Sequence, residues 1–192
     1  GSNTKLLTKV WYSPAFLWNL KMSVSDRHKE TITLQSHILG SEARQANATG
    51  TLSWILSALS ISAKMIAASV RRARLDDVLG EVGNENVQGE SQQKLDVIAN
   101  DILLRILAAR EGVAIVASEE NEEPVIIGEE DDDQKYCILF DPLDGSSNLD
   151  VCGGVGTIFS VMRNRSGLSA KDSLLQPGFE QVAAGYILYG SS

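Results

Sequence analysis

Residues 136–150 read YCILFDPLDGSSNLD, an apolar run followed by two aspartates and a turn of small residues. The apolar part, Tyr136–Leu139, predicts a buried strand. We expect that strand to end by presenting Asp141 and Asp144, with Pro142 stiffening the turn between them. Two carboxylates at the end of a strand are typical ligands of hard divalent cations such as Mg²⁺. The stretch therefore predicts a cation site beside a sheet.

Small residues follow the aspartates directly, at Gly145, Ser146 and Ser147. Small side chains let backbone N–H groups approach an anion, and a helix starting here would direct its positive end at a phosphate. A plain turn with a helix cap is the alternative, because Asp, Pro, Gly and Ser are also common turn residues. We favour adjacent cation and phosphate sites, because the stretch combines the residue types of both.

A second acidic pair, Glu119 and Glu120, follows the predicted strand Val113–Ala117. Taken alone, such a pair is normally part of a solvated loop. Beside the aspartate motif we expect it on the same rim of the sheet, where carboxylates shared by two metal ions can hold a phosphoryl oxygen.

Asp96 and Glu90 are further acidic candidates. Asp96 lies at the start of a predicted helix, where the helix dipole favours a carboxylate whatever its function. The functional alternative makes Asp96 an acid or base that handles a proton beside the metals. Glu90, in the preceding predicted loop, is a weaker candidate for the same chemistry.

The 192 residues carry a formal net charge of −8, from 17 Lys and Arg against 25 Asp and Glu. Surfaces that bind nucleic acids are basic, so we expect no nucleic-acid partner. Nine of the acidic residues lie between Glu119 and Asp133, a segment with no basic residue. We assign the first two to the site and Glu129–Asp133 to a solvated connection.

Elsewhere the apolar pattern predicts helices first and strands after. Stripes at helical spacing run over Leu52–Val70, more weakly over Ile32–Leu39, and over Leu95–Leu107. Residues 76–93 are polar and contain glycines, which predicts a long loop. Five short apolar runs predict strands at Val113–Ala117, Val125–Ile127, Tyr136–Phe140, Gly156–Met162 and Ala183–Tyr189. The fold class is therefore α/β or α+β, a layered sandwich with helices packed on a sheet.

We set residues 1–29 apart as an extension or leader and treat residues 30–192 as one domain. A targeting remnant, an adventitious extension and a partner-binding arm all remain open for residues 1–21. The two cysteines, Cys137 and Cys152, are too few for a disulfide framework, and we expect both to be reduced. No run approaches 18 apolar residues, so we expect no membrane partner and a cytoplasmic location, with a plastid as the alternative if residues 1–21 are a leader remnant.

Several motifs together resemble class I fructose-1,6-bisphosphatases. They are FDPLDGSSN at Phe140, SEEN at Ser118, KLDVIANDIL at Lys94, VGTIF at Val155, LQPG at Leu175 and AAGYILYGSS at Ala183. The resemblance covers residues 30–192. More distantly, DPLDGS resembles the lithium-sensitive phosphatase superfamily, which includes inositol monophosphatases. The resemblance implies amino-terminal helices on a mixed β-sheet, with the carboxyl-terminal half of the family absent from this chain.

The resemblance also implies roles for individual residues. Glu119, Asp141, Asp144 and the backbone carbonyl of Leu143 resemble the family's magnesium ligands. Catalytic carboxylates are implied at Asp96 and Glu120, with Glu90 on a mobile loop spanning residues 74–94. The segment Asp144, Gly145, Ser146 and Ser147 resembles the cradle for the sugar 1-phosphate. Two or more Mg²⁺ ions per active site are implied, with Mn²⁺ or Zn²⁺ as alternatives.

An allosteric AMP site and a homotetramer are implied as well. The residues similar to the family's AMP site are Thr49, Gly50, Leu52, Ser53, Lys135, Tyr136 and Arg163. Thr51 departs from the acidic residue often found at this position in the family.

The implied activity is Mg²⁺-dependent hydrolysis of the 1-phosphate of fructose 1,6-bisphosphate to fructose 6-phosphate and phosphate, as in gluconeogenesis or the Calvin cycle. Two enzyme alternatives remain, a sedoheptulose-1,7-bisphosphatase and an inositol-phosphatase-like enzyme. A third alternative is a catalytically inactive fragment that binds AMP or a partner, because family members continue past the position of Ser192 into a second half.

Overall fold

The computed structural model describes residues 8–11, 32–42, 50–79, 85–128, 132–146 and 154–189. These residues form a mixed sheet with two long helices on one face and a short helix on the other. The helices are α1 (Leu34–Glu42), α2 (Thr51–Leu79), α3 (Glu85–Ala108), the short α4 (Ala170–Leu174) and a 3₁₀ turn (Gly178–Glu180). The strands are β1 (Thr8–Trp11), β2 (Val113–Ser118), β3 (Val125–Ile126), β4 (Tyr136–Asp144), β5 (Gly156–Arg163) and β6 (Ala183–Leu188).

The sheet has the strand order β1-β6-β5-β4-β2-β3. Its central pair, β2 and β4, runs parallel, with Ser118 opposite Phe140. The other pairs are antiparallel. Because the carboxyl ends of parallel strands meet at the same edge, the residues that follow Ser118 and Phe140 emerge side by side. This parallel pair positions the candidate site.

The main core lies between the sheet and helices α2 and α3. The apolar stripe of α2 supplies Ile55, Leu59 and Ile66, all essentially inaccessible to solvent. Helix α3 buries Leu95, Ala99, Leu103 and Leu107, which recur every fourth residue along one face. From the sheet, β2 contributes Val113 and Val116, and β4 contributes Ile138 and Phe140. The predicted layered α/β architecture is confirmed.

Helix α2 also contains a long apolar segment. Its segment Thr51–Arg72 is long and apolar enough to cross a membrane, judged by length and composition only. Half of that window is buried inside the protein, which is typical of a core helix.

The second face of the sheet carries a smaller apolar cluster. Ile115, Cys137 and Met162 pack there against Leu174 of α4. Beyond α4 this face opens into a groove of about 560 Å³. The groove reaches Glu119 and Asp141 at the carboxyl edge of β2 and β4, so the candidate site and the open face are continuous.

The five predicted strands are confirmed as β2 to β6, but two other features differ from expectation. The predicted loop over residues 76–93 is wrong where the structure describes it, because α2 continues to Leu79 and α3 begins at Glu85. Glu, Gln and Lys favour helix without an apolar stripe, and such residues fill the first turns of α3. Strand β1 pairs with β6, although the sequence analysis assigns residues 1–29 no place in the fold.

Candidate active site

The carboxyl edge of the parallel pair brings Glu119 beside Asp141. Glu119 follows β2 directly, and its backbone N–H donates a 3.0 Å hydrogen bond to the carbonyl oxygen of Phe140 on β4. Asp141 is the next residue of β4. Carboxylates from two separate sequence motifs therefore share one rim of the sheet.

Strand β4 extends past the predicted Phe140 and ends at Asp144, with an irregularity between the two aspartates. Asp141 lies opposite Ile158 and Asp144 opposite Gly156, with a shift of register between them. The backbone N–H of Leu143 donates a 3.0 Å hydrogen bond to the Asp141 carboxylate. A proline within a strand is tolerated at such bulges, because it has no N–H for the ladder. The bulge holds the two aspartates close to each other on one strand.

Two buried hydroxyl groups, from Thr157 and Tyr189, lie next to the backbone of this bulge. The hydroxyl of Thr157 donates a 2.8 Å hydrogen bond to the carbonyl oxygen of Pro142. The same hydroxyl also pairs with the hydroxyl of Tyr189. Thr157 is fully buried and Tyr189 nearly so. Burial therefore raises the pKa of the Tyr189 phenol well above its ordinary value.

Asp96, on helix α3, belongs to the same cluster of carboxylates as Glu119 and Asp141. The prediction that Asp96 starts a helix is wrong, because α3 begins at Glu85, three turns earlier. The side chain of Ser146 donates a hydrogen bond to the Asp96 carboxylate. The turn that follows β4 is thereby linked to α3. Gly145, which lies between Asp144 and Ser146 in the sequence, has a φ of 78°, a left-handed conformation that favours glycine.

Burial and mutual repulsion perturb the carboxylates of this cluster. Partial burial raises the pKa of Asp96, and the charges of Asp141 and Glu119 raise it further, against the lowering effect of the Ser146 hydrogen bond. For Glu120, partial burial raises the pKa first, followed by the charges of Asp96 and Glu119. These residues belong to three different elements, so their mutual effects show that the fold brings them together.

Asp141 shows the same pattern. Burial raises its pKa, and the negative charges of Asp144 and Glu119 add to the increase. The hydrogen bond from the Leu143 N–H acts in the opposite direction. A site that disfavours ionised carboxylates in this way is one that a cation would stabilise.

The donor set suits a hard divalent cation in its chemistry, because it consists of carboxylate oxygens, the preferred ligands of Mg²⁺. Among the described residues, no three Asp, Glu, His or Cys side chains form a ready-made metal-binding group. The carboxylates are thus close enough to influence one another's pKa without forming a closed ligand shell. Hydration water and substrate phosphate commonly complete the shell of Mg²⁺.

Two of the residues predicted for the active site cannot be placed in full. Ser147 lies outside the described residues, and so does the side chain of Glu90. The backbone of Glu90 belongs to α3, not to a loop.

Tyr186 is a candidate that the sequence analysis missed. It lines the same groove as Glu119 and Asp141. Burial raises the pKa of its phenol, and the charges of Asp144 and Asp141 add to the shift. Its ring lies so close to Gly156 that a Cβ added there would be 2.6 Å from the Tyr186 Cζ atom. A glycine within a strand was the signal that another group approaches closely.

The residues predicted for a nucleotide site gather at the opposite end of β4. Gly50, with a φ of 76°, directly precedes α2. The first residue of α2, Thr51, packs on Gly112, where an added Cβ would be 2.1 Å from the Thr51 methyl carbon. The carbonyl of Gly112 accepts a 2.9 Å hydrogen bond from the N–H of Tyr136. The start of α2, which includes Leu52 and Ser53, is therefore connected to β4 through one glycine.

Two basic residues complete this second cluster. The guanidinium of Arg163 lies 4.3 Å from the centre of the Tyr136 ring. Lys135 forms an ion pair with Asp132 at 3.8 Å. Thr49 lies outside the described residues. The described residues of the predicted nucleotide site therefore lie at one end of the sheet, well separated along β4 from Asp141.

Comparisons with known proteins agree with this architecture. Residues 32–192 match the family model "Fructose-1-6-bisphosphatase, N-terminal domain". The chain belongs to the fructose-1,6-bisphosphatase family.

Two crystal structures of Leishmania major fructose-1,6-bisphosphatase are similar to this chain. The holo form is 33% identical with a TM-score of 0.65. The T-state is 32% identical with a TM-score of 0.63. Each match covers 83% of this chain and 48% of the Leishmania chain. The chain therefore spans about half the length of these relatives.

Proposed function

We propose that this chain carries the amino-terminal half of the active site of a Mg²⁺-dependent sugar bisphosphatase. The reaction is hydrolysis of the 1-phosphate of fructose 1,6-bisphosphate to fructose 6-phosphate and phosphate. One observation supports it most strongly: carboxylates from α3, β2 and β4 converge beside the turn Gly145–Ser146, and they raise one another's pKa. Acidic oxygen ligands next to a small-residue turn suit a cation and a phosphate at once.

The residues divide by position within the cluster. Glu119, Asp141, Asp144 and the carbonyl of Leu143 would hold Mg²⁺, which supplies Lewis-acid polarisation of a phosphoryl oxygen and a bound water of lowered pKa. Asp96 and Glu120 flank them. Because the pKa of both is raised, each is suited to accept a proton from the attacking water and to return one to the leaving oxygen.

The turn after β4 would receive the phosphate. Gly145 adopts a left-handed conformation that exposes its backbone, and Ser146 is already oriented by its hydrogen bond to Asp96. Through that bond Ser146 links the phosphate cradle to the proton-handling carboxylate. Binding of the sugar and choice between bisphosphates belong to the whole protein, of which relatives contain about twice this length.

A second proposed function is nucleotide binding at the far end of β4. The start of α2, the Gly112 contact and the Tyr136–Arg163 pair lie at the same end of β4. A helix start favours a phosphate, and an arginine next to an aromatic ring suits a purine nucleotide such as AMP. We propose AMP as its ligand and a homotetramer as the assembly of the whole protein.

Phosphate release from a panel of substrates tests the main proposal. The panel contains fructose 1,6-bisphosphate, sedoheptulose 1,7-bisphosphate and inositol phosphate, each with and without Mg²⁺. We expect Mg²⁺-dependent release from fructose 1,6-bisphosphate by the whole protein. Turnover of that substrate unchanged in an Asp141→Ala, Asp144→Ala double variant would contradict the proposal. Faster turnover of another substrate would favour that alternative.

A further inference from the structure

A pair of asparagines connects two of the three elements that carry the carboxylates. The side-chain N–H₂ of Asn100 donates a 2.9 Å hydrogen bond to the side-chain oxygen of Asn121, and the pair is partly buried. Asn100 lies four residues after Asp96, so both residues project from the same face of α3. Asn121 directly follows Glu119 and Glu120. The bond therefore joins the helix that carries Asp96 to the loop that carries the two glutamates.

The other hydrogen bonds of this loop lead back to the sheet or to the loop itself. The N–H of Glu119 bonds the carbonyl of Phe140 at 3.0 Å, and the N–H of Asn121 bonds that of Ser118 at 3.2 Å. The N–H of Glu120 bonds the Ser118 hydroxyl at 3.3 Å. None of these bonds reaches α3. Among the described residues, the asparagine pair is therefore the side-chain hydrogen bond that connects this loop to α3.

The charges of the two segments favour their separation. Asp96 on α3 and the two glutamates of the loop all carry negative charge when ionised, so the two segments repel each other. An asparagine pair joins the segments without adding a charge of either sign. A lysine in its place would neutralise carboxylates that a cation should meet, and an aspartate would add to the repulsion. A neutral pair is therefore suited to hold the segments together before the cation binds.

The remaining polar atom of Asn100 shows how closely the pair is packed. Its side-chain oxygen is buried and has no hydrogen-bond partner among the described residues. Burying a polar atom without a partner is unfavourable, so the amide must be held in this orientation by its other contacts. Among the described residues, the side-chain hydrogen bond of this amide is the one to Asn121.

We propose that Asn100 and Asn121 are positioning residues, which hold the Glu119–Glu120 loop against α3 and so preorganise the carboxylates for a divalent cation. The proposal rests on the proposed function, since it assumes that these carboxylates bind a cation. Neither asparagine contacts the cation itself. Their effect is on the distance between Asp96 and the glutamates.

The test uses Mn²⁺ as the probe, titrated into the full 192-residue chain, with free Mn²⁺ measured by electron paramagnetic resonance. We compare the wild type with Asn100→Leu, Asn121→Leu and the double variant. Each single variant should bind Mn²⁺ about fivefold more weakly, the equivalent of one ordinary hydrogen bond. The double variant should bind no more weakly than either single one, because all three lack the same bond.

Asn164→Leu is the matched control. Asn164 is buried, accepts a hydrogen bond from Cys137 and donates one to the Asp132 carbonyl, at the other end of β4. This control should lose stability and keep its Mn²⁺ affinity. If a leucine variant of the pair fails to fold, Asn121→Ser is measured instead, because it keeps a polar group that is too short to reach Asn100. It should show the same loss.

Three results would overturn the proposal. These are single variants that bind like the wild type, a double variant whose loss is the product of the two single losses, and an equal loss in Asn164→Leu. Failure of the proposed function looks different. In that case the wild type itself does not bind Mn²⁺, or Asp141→Asn binds it equally well, and the inference fails with it.

Discussion

Thr157 and Pro142 are joined by a hydrogen bond of 2.8 Å, from the threonine hydroxyl on β5 to the carbonyl between the two aspartates of β4. The hydroxyl also pairs with that of Tyr189, beyond the end of β6. The buried side chain of Thr157 therefore connects the aspartate bulge of β4 to β5 and to the residue that follows β6. The shape of the acidic edge depends on a residue that is not acidic and does not touch solvent.

The first prediction follows from this bond. Thr157→Val keeps the side-chain volume and removes the hydroxyl, which leaves the Pro142 carbonyl and the Tyr189 hydroxyl buried without this partner. We expect the free energy of unfolding to fall by about 1–3 kcal/mol. Urea denaturation followed by circular dichroism measures it. Thr157→Ser, which retains the hydroxyl, is the control and should lose less; equal losses in the two variants would show that the hydroxyl is unimportant.

A second prediction concerns Gly156, opposite Asp144. A Cβ added there would be 2.3 Å from the carbonyl oxygen of Ile187 and 2.6 Å from the Cζ atom of Tyr186. Because a backbone atom cannot move away cheaply, Gly156→Ala should lower the free energy of unfolding by about 1–3 kcal/mol. Gly178→Ala is the control, because nothing lies within 4 Å of its added Cβ. Thermal unfolding of the two variants, measured side by side, tests this prediction. Equal melting temperatures would contradict the predicted clash.

Cys137 gives a third prediction. Burial raises the pKa of its thiol from 9.0 to about 12. The native thiol should therefore resist iodoacetamide at pH 8 and react once the chain is unfolded. Mass spectrometry of the peptide that contains Cys137 follows the modification. Rapid alkylation of Cys137 under native conditions would be inconsistent with its burial.

The same thiol affects stability at high pH. A thiol pKa that is higher in the folded state contributes stability below the unfolded value, and this contribution is lost as pH rises. The loss should begin near pH 9 and be complete near pH 12. Cys137→Ala removes this thiol and should flatten the pH dependence over that window. An unchanged slope in the variant would assign the effect to other groups.

A fourth prediction concerns pH and metal together. The raised pKa values of Asp96, Glu120 and Asp141 mean that these groups stabilise the fold below their unfolded pKa values of 3.8 to 4.5 and lose that contribution as pH rises through the folded values. A divalent cation should offset the loss, so Mg²⁺ should raise the melting temperature more at pH 8 than at pH 5.

Scanning fluorimetry with and without Mg²⁺ at the two pH values measures this difference. Asp141→Asn is the control and should reduce the effect of Mg²⁺ at pH 8. An equal rise in melting temperature at both pH values, or a rise that is unchanged in Asp141→Asn, would show that Mg²⁺ acts at another site.

The strands were predictable from sequence because each is a short apolar run bounded by turn residues. Because β2 and β4 pair in parallel, the two acidic motifs lie at adjacent strand ends and contribute to one site. Periodicity failed over residues 85–93, where a helix forms without an apolar stripe. Asp96 was consequently placed at a helix start, although its position three turns into α3 is what brings it over the sheet edge.

The supporting contacts could not be predicted, because they depend on pairs that are distant in sequence. Thr157 meets Pro142 across 15 residues, and Asn100 meets Asn121 across 21. Threonine and asparagine are common residues, and nothing local distinguishes those that support a site. Only the packing of α3 and β5 against the acidic edge identifies them.

Anomalous diffraction from crystals grown with Mn²⁺ locates the cation without relying on turnover. We expect an anomalous peak at the edge where β2 and β4 end, within coordination distance of the carboxylates of Glu119 and Asp141. Crystals of Asp141→Asn should lose that peak or show it weakened. A wild-type crystal with no peak at this edge, or with Mn²⁺ bound only elsewhere, would show that these carboxylates do not form the cation site.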